Sequence, residues 1–576
     1  MSSFSVPPPN VKVLIIGGGP AGSYAASVLG REGISCTLLE SSKFPRYHVG
    51  ESLIPSVRHF MRFIDADEKL ANVGFIHKPG SAIKFNQFKG EGYTDFIALG
   101  AENSAYNVAH QVRSEFDHLL LNHARSCGAS VYEQTKVTSI DFAENDSGRP
   151  VSVSWSHAPP PPPPSPPASP TTAKTLFSGA TDAGAITGST TFDYLIDASG
   201  RGGLLSNKYF KTRQFNKALK NIAIWGYWTG TAMYGVDSPR EGAPWFEALT
   251  DETGWAWFIP LHDGSTSVGV VMDQKVYAER IKSPVPKHSF PISAVPDATE
   301  SVALSHYLFS LSLAPGALAL ITKKGKMSAK GIQSASDYSY TAKSYADAGY
   351  RIVGDAGALT ICASMRGHCS EIVAADWHTK RVSTSYTRFQ VVVLSAYKQI
   401  RAQSDDVLSD VNEANFDRAL RELRPIVQGA GDMGKQLSET ELQRSLDFCL
   451  NIFNPTTPEQ HEHVASKPQI SPAFLDVTGP LVDPDVIHKA LHVEHAALKE
   501  SSAPPPARRR LTPRDRSHSE VAETTMVLAK VNARRVVHAE YAINNFESEP
   551  IEGRVAKLQK GNLGLTLVDT VSHSTD

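Results

Sequence analysis

Apolar and polar positions alternate most informatively near the start of the chain. Residues 11–16 form an apolar run of the kind expected for a parallel strand covered on both faces. The alanine-rich stretch 21–31 predicts a helix, and 35–39 predicts the next strand. Residues 54–64 place Ile54, Val57, Met61 and Ile64 on one helical stripe, with proline near its start. Valines alternate with smaller residues over 151–155, and TFDYLID at 191–197 predicts another strand. Alternating stretches such as 221–228 and 265–272 predict a mainly antiparallel sheet within 206–334. Residues 351–354 predict a short strand, much of 370–400 a long helix, and the region to about 500 is mostly helical in pattern.

Two segments cannot serve a core. Residues 157–189 include an unbroken proline run, 159–164, and predict a mobile surface excursion between two strands. A proline-binding partner is conceivable there, but a tolerated loop insertion is the plainer reading. PPPARRRLTPRDR at 504–516 predicts a basic linker, a solvated charge run before it is an address signal. His488, His492 and His495 have helical spacing, yet no carboxylate cluster accompanies them, so no metal site is assigned.

Length and composition exclude several classes. The chain has 576 residues, 41% hydrophobic and 20% charged, enough for two or three ordinary domains. Lys plus Arg number 57 against 59 Asp plus Glu, which gives no electrostatic case for nucleic acid or an anionic membrane. The five cysteines (Cys36, Cys127, Cys362, Cys369, Cys449) lack CxxC spacing and predict reduced thiols in a cytoplasmic protein. The first ten residues lack the features of a signal peptide. The apolar run 308–321 is short and broken by Pro315 and Gly316, so it predicts no membrane span.

Chemistry enters at 17–22, GGGPAG, which matches GxGxxG at Gly17, Gly19 and Gly22. Gly17 permits a tight strand-to-helix turn, Gly19 lets backbone approach a pyrophosphate, and Gly22 lets helix and strand pack closely. The helix N-terminus, with Gly18 and Ala21 beside it, presents N–H groups and partial positive charge to phosphates. Glu40 ends the second strand, where a carboxylate accepts ribose hydroxyls. The motif alone is weak evidence; its strand, helix and acid at the right distance make it a dinucleotide site.

Later segments specify the dinucleotide. NVAHQVRSEFDHLLLNHA at 107–124 carries Arg113, RIVGDAG at 351–357 carries Asp355, and DASGR at 197–201 ends a strand. This order resembles the flavoprotein hydroxylases, in which the matching arginine and aspartate hold FAD. Three further stretches, KFPRYHVGESLIPSV at 43–57, GFIHKPGSAIKFN at 74–86 and GWAWFIP at 254–260, resemble the flavin-dependent halogenases, most closely the fungal branch acting on phenolic polyketides. The resemblance covers most of 11–450 outside the proline-rich loop, and the two-tryptophan motif is its most specific part.

That resemblance implies an α/β fold: a flavoprotein-monooxygenase-like FAD-binding Rossmann-type domain, an inserted antiparallel substrate domain and a helical C-terminal region. The expected division is 10–205 and 335–400 for FAD binding, 206–334 for substrate, 401–500 helical, and 501–576 linker and tail. Reduced FAD and O2 would give a flavin hydroperoxide, from which halide takes oxygen to become hypohalous acid. Trp255, Trp257, Ile259 and Pro260 would then form a barrier between flavin and substrate. As residues alone they also read as strand core, since tryptophans two apart share a face. Lys78 matches the catalytic lysine and Glu51 a flavin contact, with Lys84 a lesser candidate. Without the motif, a lysine before Pro79 reads as a solvated loop residue. Burial would lower its pKa and make ammonium and amine both accessible. Implied partners are an electron-rich phenol, halide, O2 and a separate flavin reductase, with no metal.

The pattern departs from the family after Ala358. Roughly twenty residues are missing there, on the order of five helical turns, and the strand would lose the helix that follows it. Ser364 and Gly367 offer partial substitutes, but Met365 and Arg366 do not resemble the family turn, so no halide ligand is assigned. The alternatives are a flavin-dependent aromatic hydroxylase and a catalytically impaired FAD-binding protein.

Overall fold

The computed structural model describes residues 6–158, 184–284, 301–403, 456–482, 513–541, 547 and 550–568, apart from 47–49, 51, 54–55, 89, 97–104, 108–109, 145–147, 217–218, 322–323, 337–338, 354–356, 402, 457, 469, 478 and 480–481. The strand Asn10–Ile16 lies at the centre of the first sheet, with Val13, Leu14 and Ile15 wholly buried. Sheet order is Ala346–Asp347, Tyr350–Ile352, Ile186–Asp197, Asn10–Ile16, Cys36–Leu39, Ser130–Tyr132. The four joins from Tyr350–Ile352 to Ser130–Tyr132 are parallel. Helix Pro20–Arg31 follows the glycine turn, and helix His110–Ser126 packs beside it.

Strands Pro150–His157 and Ile186–Asp197 pair antiparallel as far as His157 and Ile186. The expected excursion over 157–189 is therefore too wide. Gly188, which reads as loop, lies where any Cβ would overlap the Trp155 ring, so it is a strand glycine making room for tryptophan. Residues 159–183 lie outside the described residues.

The second sheet runs Lys326–Met327, Asn221–Thr229, Ser265–Asp273, Gly254–Pro260, Trp245–Ala248, Gly80–Lys84, Gly92–Asp95, with Gln333–Ser336 also on Asn221–Thr229. The boundary expected at 206–334 is thus corrected: residues 80–95 supply two strands, the first of them parallel to Trp245–Ala248. Buried Ala82 and Tyr93 join this sheet's core, so burial outweighs proximity in sequence. Helices Val302–Ser312 and Pro315–Ile321, bent by 108° at their junction, cover one face, and no single helix among the described residues is long and apolar enough to cross a membrane.

Helix Gly357–Met365 follows strand Tyr350–Ile352, so the strand keeps the helix that it was expected to lose. Its Ala358, Ile361, Cys362 and Ala363 join the nucleotide-domain core because the short apolar run is itself helical. Residues 501–576 are not merely linker and tail. Pro513–Tyr541 is a helix, and the hairpin Arg554–Lys557/Gly564–Leu567 puts Ala556 and Leu565 into that same core. Buried Glu32 anchors it, accepting from the Gly561 and Leu563 N–H groups at 3.1 Å and pairing with Arg366 at 2.9 Å. The His488–His492–His495 group and 504–512 lie outside the described residues.

Candidate active site

At the glycine turn Gly17 has φ +104, and a Cβ there would overlap the Ala198 carbonyl. A Cβ at Gly22 would overlap the Gly17 carbonyl, so helix and strand touch only because both are glycine. Gly19 is the N-cap of helix Pro20–Arg31 and offers no side-chain cap; Pro20 and Ala21 form its first turn. The helix therefore begins with N–H groups available to an anion. Glu40 is buried and accepts from the Gly18 N–H at 2.6 Å and the Ser42 N–H at 2.8 Å. Arg46, which the sequence reading passed over, lies 3.8 Å from Glu40 and 3.6 Å from wholly buried Asp117. Its signal was available: a cation inside KFPRYHVGES, five residues before the glutamate of the glutamate-serine pair.

Asp197 caps its own loop, accepting from the Ser199 N–H at 3.0 Å and the Leu205 N–H at 2.8 Å. Arg113 falls in helix His110–Ser126, with its side chain outside the described set, and Glu51 and Asp355 also lie outside the described residues.

Lys78 closes the short strand Ile76–Lys78 and is 5% exposed. Its Nζ donates to Ser52 Oγ at 2.7 Å and to the Leu53 carbonyl at 3.4 Å, and lies 5.3 Å from the centre of the Phe96 ring. These partners are all uncharged. Burial lowers its pKa to about 8, because a desolvated ammonium loses hydration that a hydroxyl, a carbonyl and a ring only partly replace. Lys84, at the end of Gly80–Lys84, is more exposed.

Strand Gly254–Pro260 sorts its side chains by alternation. Ala256 and Phe258 enter the helix-covered core, whereas Trp255, Trp257 and Ile259 pack on the nucleotide-domain side. The two indoles lie 6.0 Å apart at 50°, and Trp225 extends the row at 6.2 Å from Trp257. Gly269 lies beneath Trp257, where a Cβ would overlap the ring. Trp257 donates to Ser267 Oγ at 3.1 Å and Trp255 to Tyr397 Oη at 3.0 Å, while buried Pro260 ends the strand. Leu53, whose carbonyl meets Lys78, packs against the same core as both tryptophans. Sequence reasoning missed Ser52, Phe96 and Tyr397; Ser52 lies inside the 43–57 stretch without being singled out, and contact alone reveals Phe96 and Tyr397.

Ser364 Oγ is buried without a hydrogen-bond partner in helix Gly357–Met365. Arg366 turns away to Glu32 and the Leu563 carbonyl.

A parallel sheet with a glycine cradle, joined to an antiparallel sheet whose aromatic face meets it, defines an FAD-dependent oxidoreductase of the two-sheet flavoprotein class. The Tryptophan halogenase family model matches residues 12–149 and 184–283. The flavin-dependent halogenase armH1 of Armillaria mellea is 44% identical over 97% of this chain and 98% of its own length. The flavin-dependent halogenase ascD of Acremonium egyptiacum is 40% identical over 99% and 95%, and the sulochrin halogenase gedL of Aspergillus terreus 35% over 98% and 94%. Among solved structures, the flavin-dependent halogenase CmlS superposes with a TM-score of 0.56 at 22% identity, covering 85% of this chain and 78% of that one. The myxobacterial chondrochloren halogenase CndH gives 0.55 at 21%, covering 77% and 97%; at these identities both bear on the fold alone. The chain belongs to the flavin-dependent halogenases, and its cofactor is FAD.

Proposed function

We propose that this protein halogenates an electron-rich phenolic ring of the polyketide type, with chloride as the first halide to test and Lys78 as the catalytic residue. The observation that carries the reading is a lysine buried among neutral partners, its pKa drawn to about 8, whose partner Leu53 packs against the core that holds the tryptophan face. The glycine cradle fits FAD: a Cβ at Gly17 or Gly22 would meet backbone, Glu40 is placed for ribose, and Arg46 adds positive charge near the helix start. Gly18, Gly19 and Ala21 would line the pyrophosphate, with Arg113, Asp355 and Glu51 as further contacts. Bound reduced FAD supplies, with O2, the two-electron oxidation that turns halide into hypohalous acid.

The residues of the chain then steer that oxidant. Trp255, Trp257, Ile259 and Pro260 hold the organic substrate away from the cofactor, which suppresses oxygen insertion. Lys78 as ammonium donates an N–H to the oxygen of hypohalous acid and makes the halogen more electrophilic. The ring carbon takes the halogen, and the displaced oxygen leaves as water with the proton lost from the ring. Electron-rich rings react fastest because they donate the electron pair. We place the protein in the cytoplasm, consistent with free thiols at Cys36, Cys127, Cys362 and Cys369, and assign flavin reduction to a separate reductase.

The test is purified protein with FAD, a flavin reductase, NADH, chloride and an orcinol-type phenol, read by mass spectrometry. A monohalogenated product that disappears with Lys78→Ala is expected. Hydroxylated product without halide dependence would make it a hydroxylase. Yellow protein returning only unmodified phenol would make it an impaired flavoprotein.

A further inference from the structure

Phe96 meets the Lys78–Pro79 segment in two ways. Its N–H donates to the Pro79 carbonyl at 2.8 Å, pinning the backbone just after the lysine. Its ring lies 5.3 Å from Lys78 Nζ, within the range where an aromatic face attracts a cation. The same ring packs against the cluster of Val477 and Val531, which come from 456–482 and helix Pro513–Tyr541. Residues more than three hundred and fifty positions downstream thus back the ring that faces the lysine.

We propose that Phe96 is a positioning residue for Lys78, and that the C-terminal lobe acts on the reaction site through this one ring. The functional half of this inference rests on the catalytic reading of Lys78. Ser52 and Leu53 hold the amine from one side, while the ring supplies a cation-stabilising surface that a merely apolar side chain lacks. Among the described residues no charged side chain shifts Lys78, and burial is the resolved cause. The neighbouring Glu51 lies outside the described residues, and the His77 and Asp95 side chains are likewise undescribed. Because the ring favours the charged form, it offsets part of the desolvation. Val477 and Val531 keep it from rotating away.

The experiment compares the full chain with Phe96→Leu and Phe96→Tyr. Competitive acetylation of Lys78, read by peptide mass spectrometry from neutral to alkaline pH, reports its midpoint without requiring turnover. The wild-type midpoint should fall near 8. Phe96→Leu should lower it by about half a unit to one unit, and Phe96→Tyr should restore it. An unchanged midpoint overturns the inference. So does a rise, because the ring would then only exclude water. In turnover, Phe96→Leu should lower kcat about fivefold with KM for the phenol unchanged. Val531→Ala should move both readouts the same way by less; identity with wild type in both would remove the lobe from the proposal. If Lys78→Ala still halogenates, the catalytic reading fails, and the acetylation midpoint still decides the positioning claim.

Discussion

The glycine turn and the lysine chamber are built by opposite means. Around Gly17 most of the parts come from one local stretch: an apolar strand, glycines fixed by backbone contact and a buried acid hydrogen-bonded to the turn, with Ala198 the distant addition. Around Lys78 they come from scattered segments: Ser52, Leu53 and Phe96 meet it only in the folded chain, and Leu53 packs against the core that the tryptophans join. The turn is held by sterics, which tolerate no side chain at Gly17 or Gly22 and involve only backbone and Ala198 at the end of the neighbouring strand. The chamber instead strips water from a charge, so its properties depend on every segment that keeps water out.

The sharpest way to break this comparison is Lys78→Met. We expect halogenation to fall by at least about a hundredfold, the scale of a lost proton-positioning group, while FAD is retained. The same change should stabilise the fold. A lysine whose pKa falls from 10.5 to about 8 on burial binds fewer protons folded than unfolded between those values. Stability of the wild type therefore rises as pH climbs from about 8 toward 10.5, and the full cost is present below 8. That cost is up to about 3 kcal/mol, so Lys78→Met should melt higher at neutral pH, with the gain shrinking in alkali. Equal melting temperatures at neutral pH would mean that the amine is hydrated.

Arg366→Ala probes how far the nucleotide domain depends on distant chain. It leaves Glu32, whose side chain is wholly buried, without its cation, and should cost about 3 kcal/mol by thermal denaturation. Protease sensitivity should rise within 550–568 first, because that hairpin hangs on Glu32. Gly17→Ala should cost about 2 kcal/mol from the positive φ, with the clash at Ala198 in addition, and should release FAD during gel filtration.

What could be read in advance follows the same division. Strand periodicity and glycine spacing are local, so 11–40 and the tryptophan strand were legible, as was the long helix near 370–400. The two-tryptophan motif was legible as a motif, but the hydrogen bond to Tyr397 was not. Strands Gly80–Lys84 and Gly92–Asp95 were assigned to the wrong domain because pattern reveals an amphipathic segment without revealing the sheet it joins. The C-terminal hairpin was read as tail for a related reason: its apolar residues are few, and only packing on helix Gly357–Met365 explains them. The helix expected to vanish after Ala358 survives because AGALTICASM is itself an apolar helical run.

Tyr397→Phe gives the smallest effect and isolates the wall from the amine. The substitution keeps the ring and removes the acceptor for the Trp255 indole N–H, so stability should drop by about 1 kcal/mol. Trp257 keeps its own acceptor, Ser267, and its seat over Gly269, so the wall should loosen at one indole. Lys78 titration should not move, because Tyr397 is not among its partners. If the wall governs where the oxidant goes, halogenated product per NADH consumed should fall about twofold while peroxide rises, a change worth less than about 1 kcal/mol in barrier. Unchanged coupling would show that packing alone holds Trp255, and that the hydrogen bond to the long helix adds nothing to the separation of oxidant from substrate.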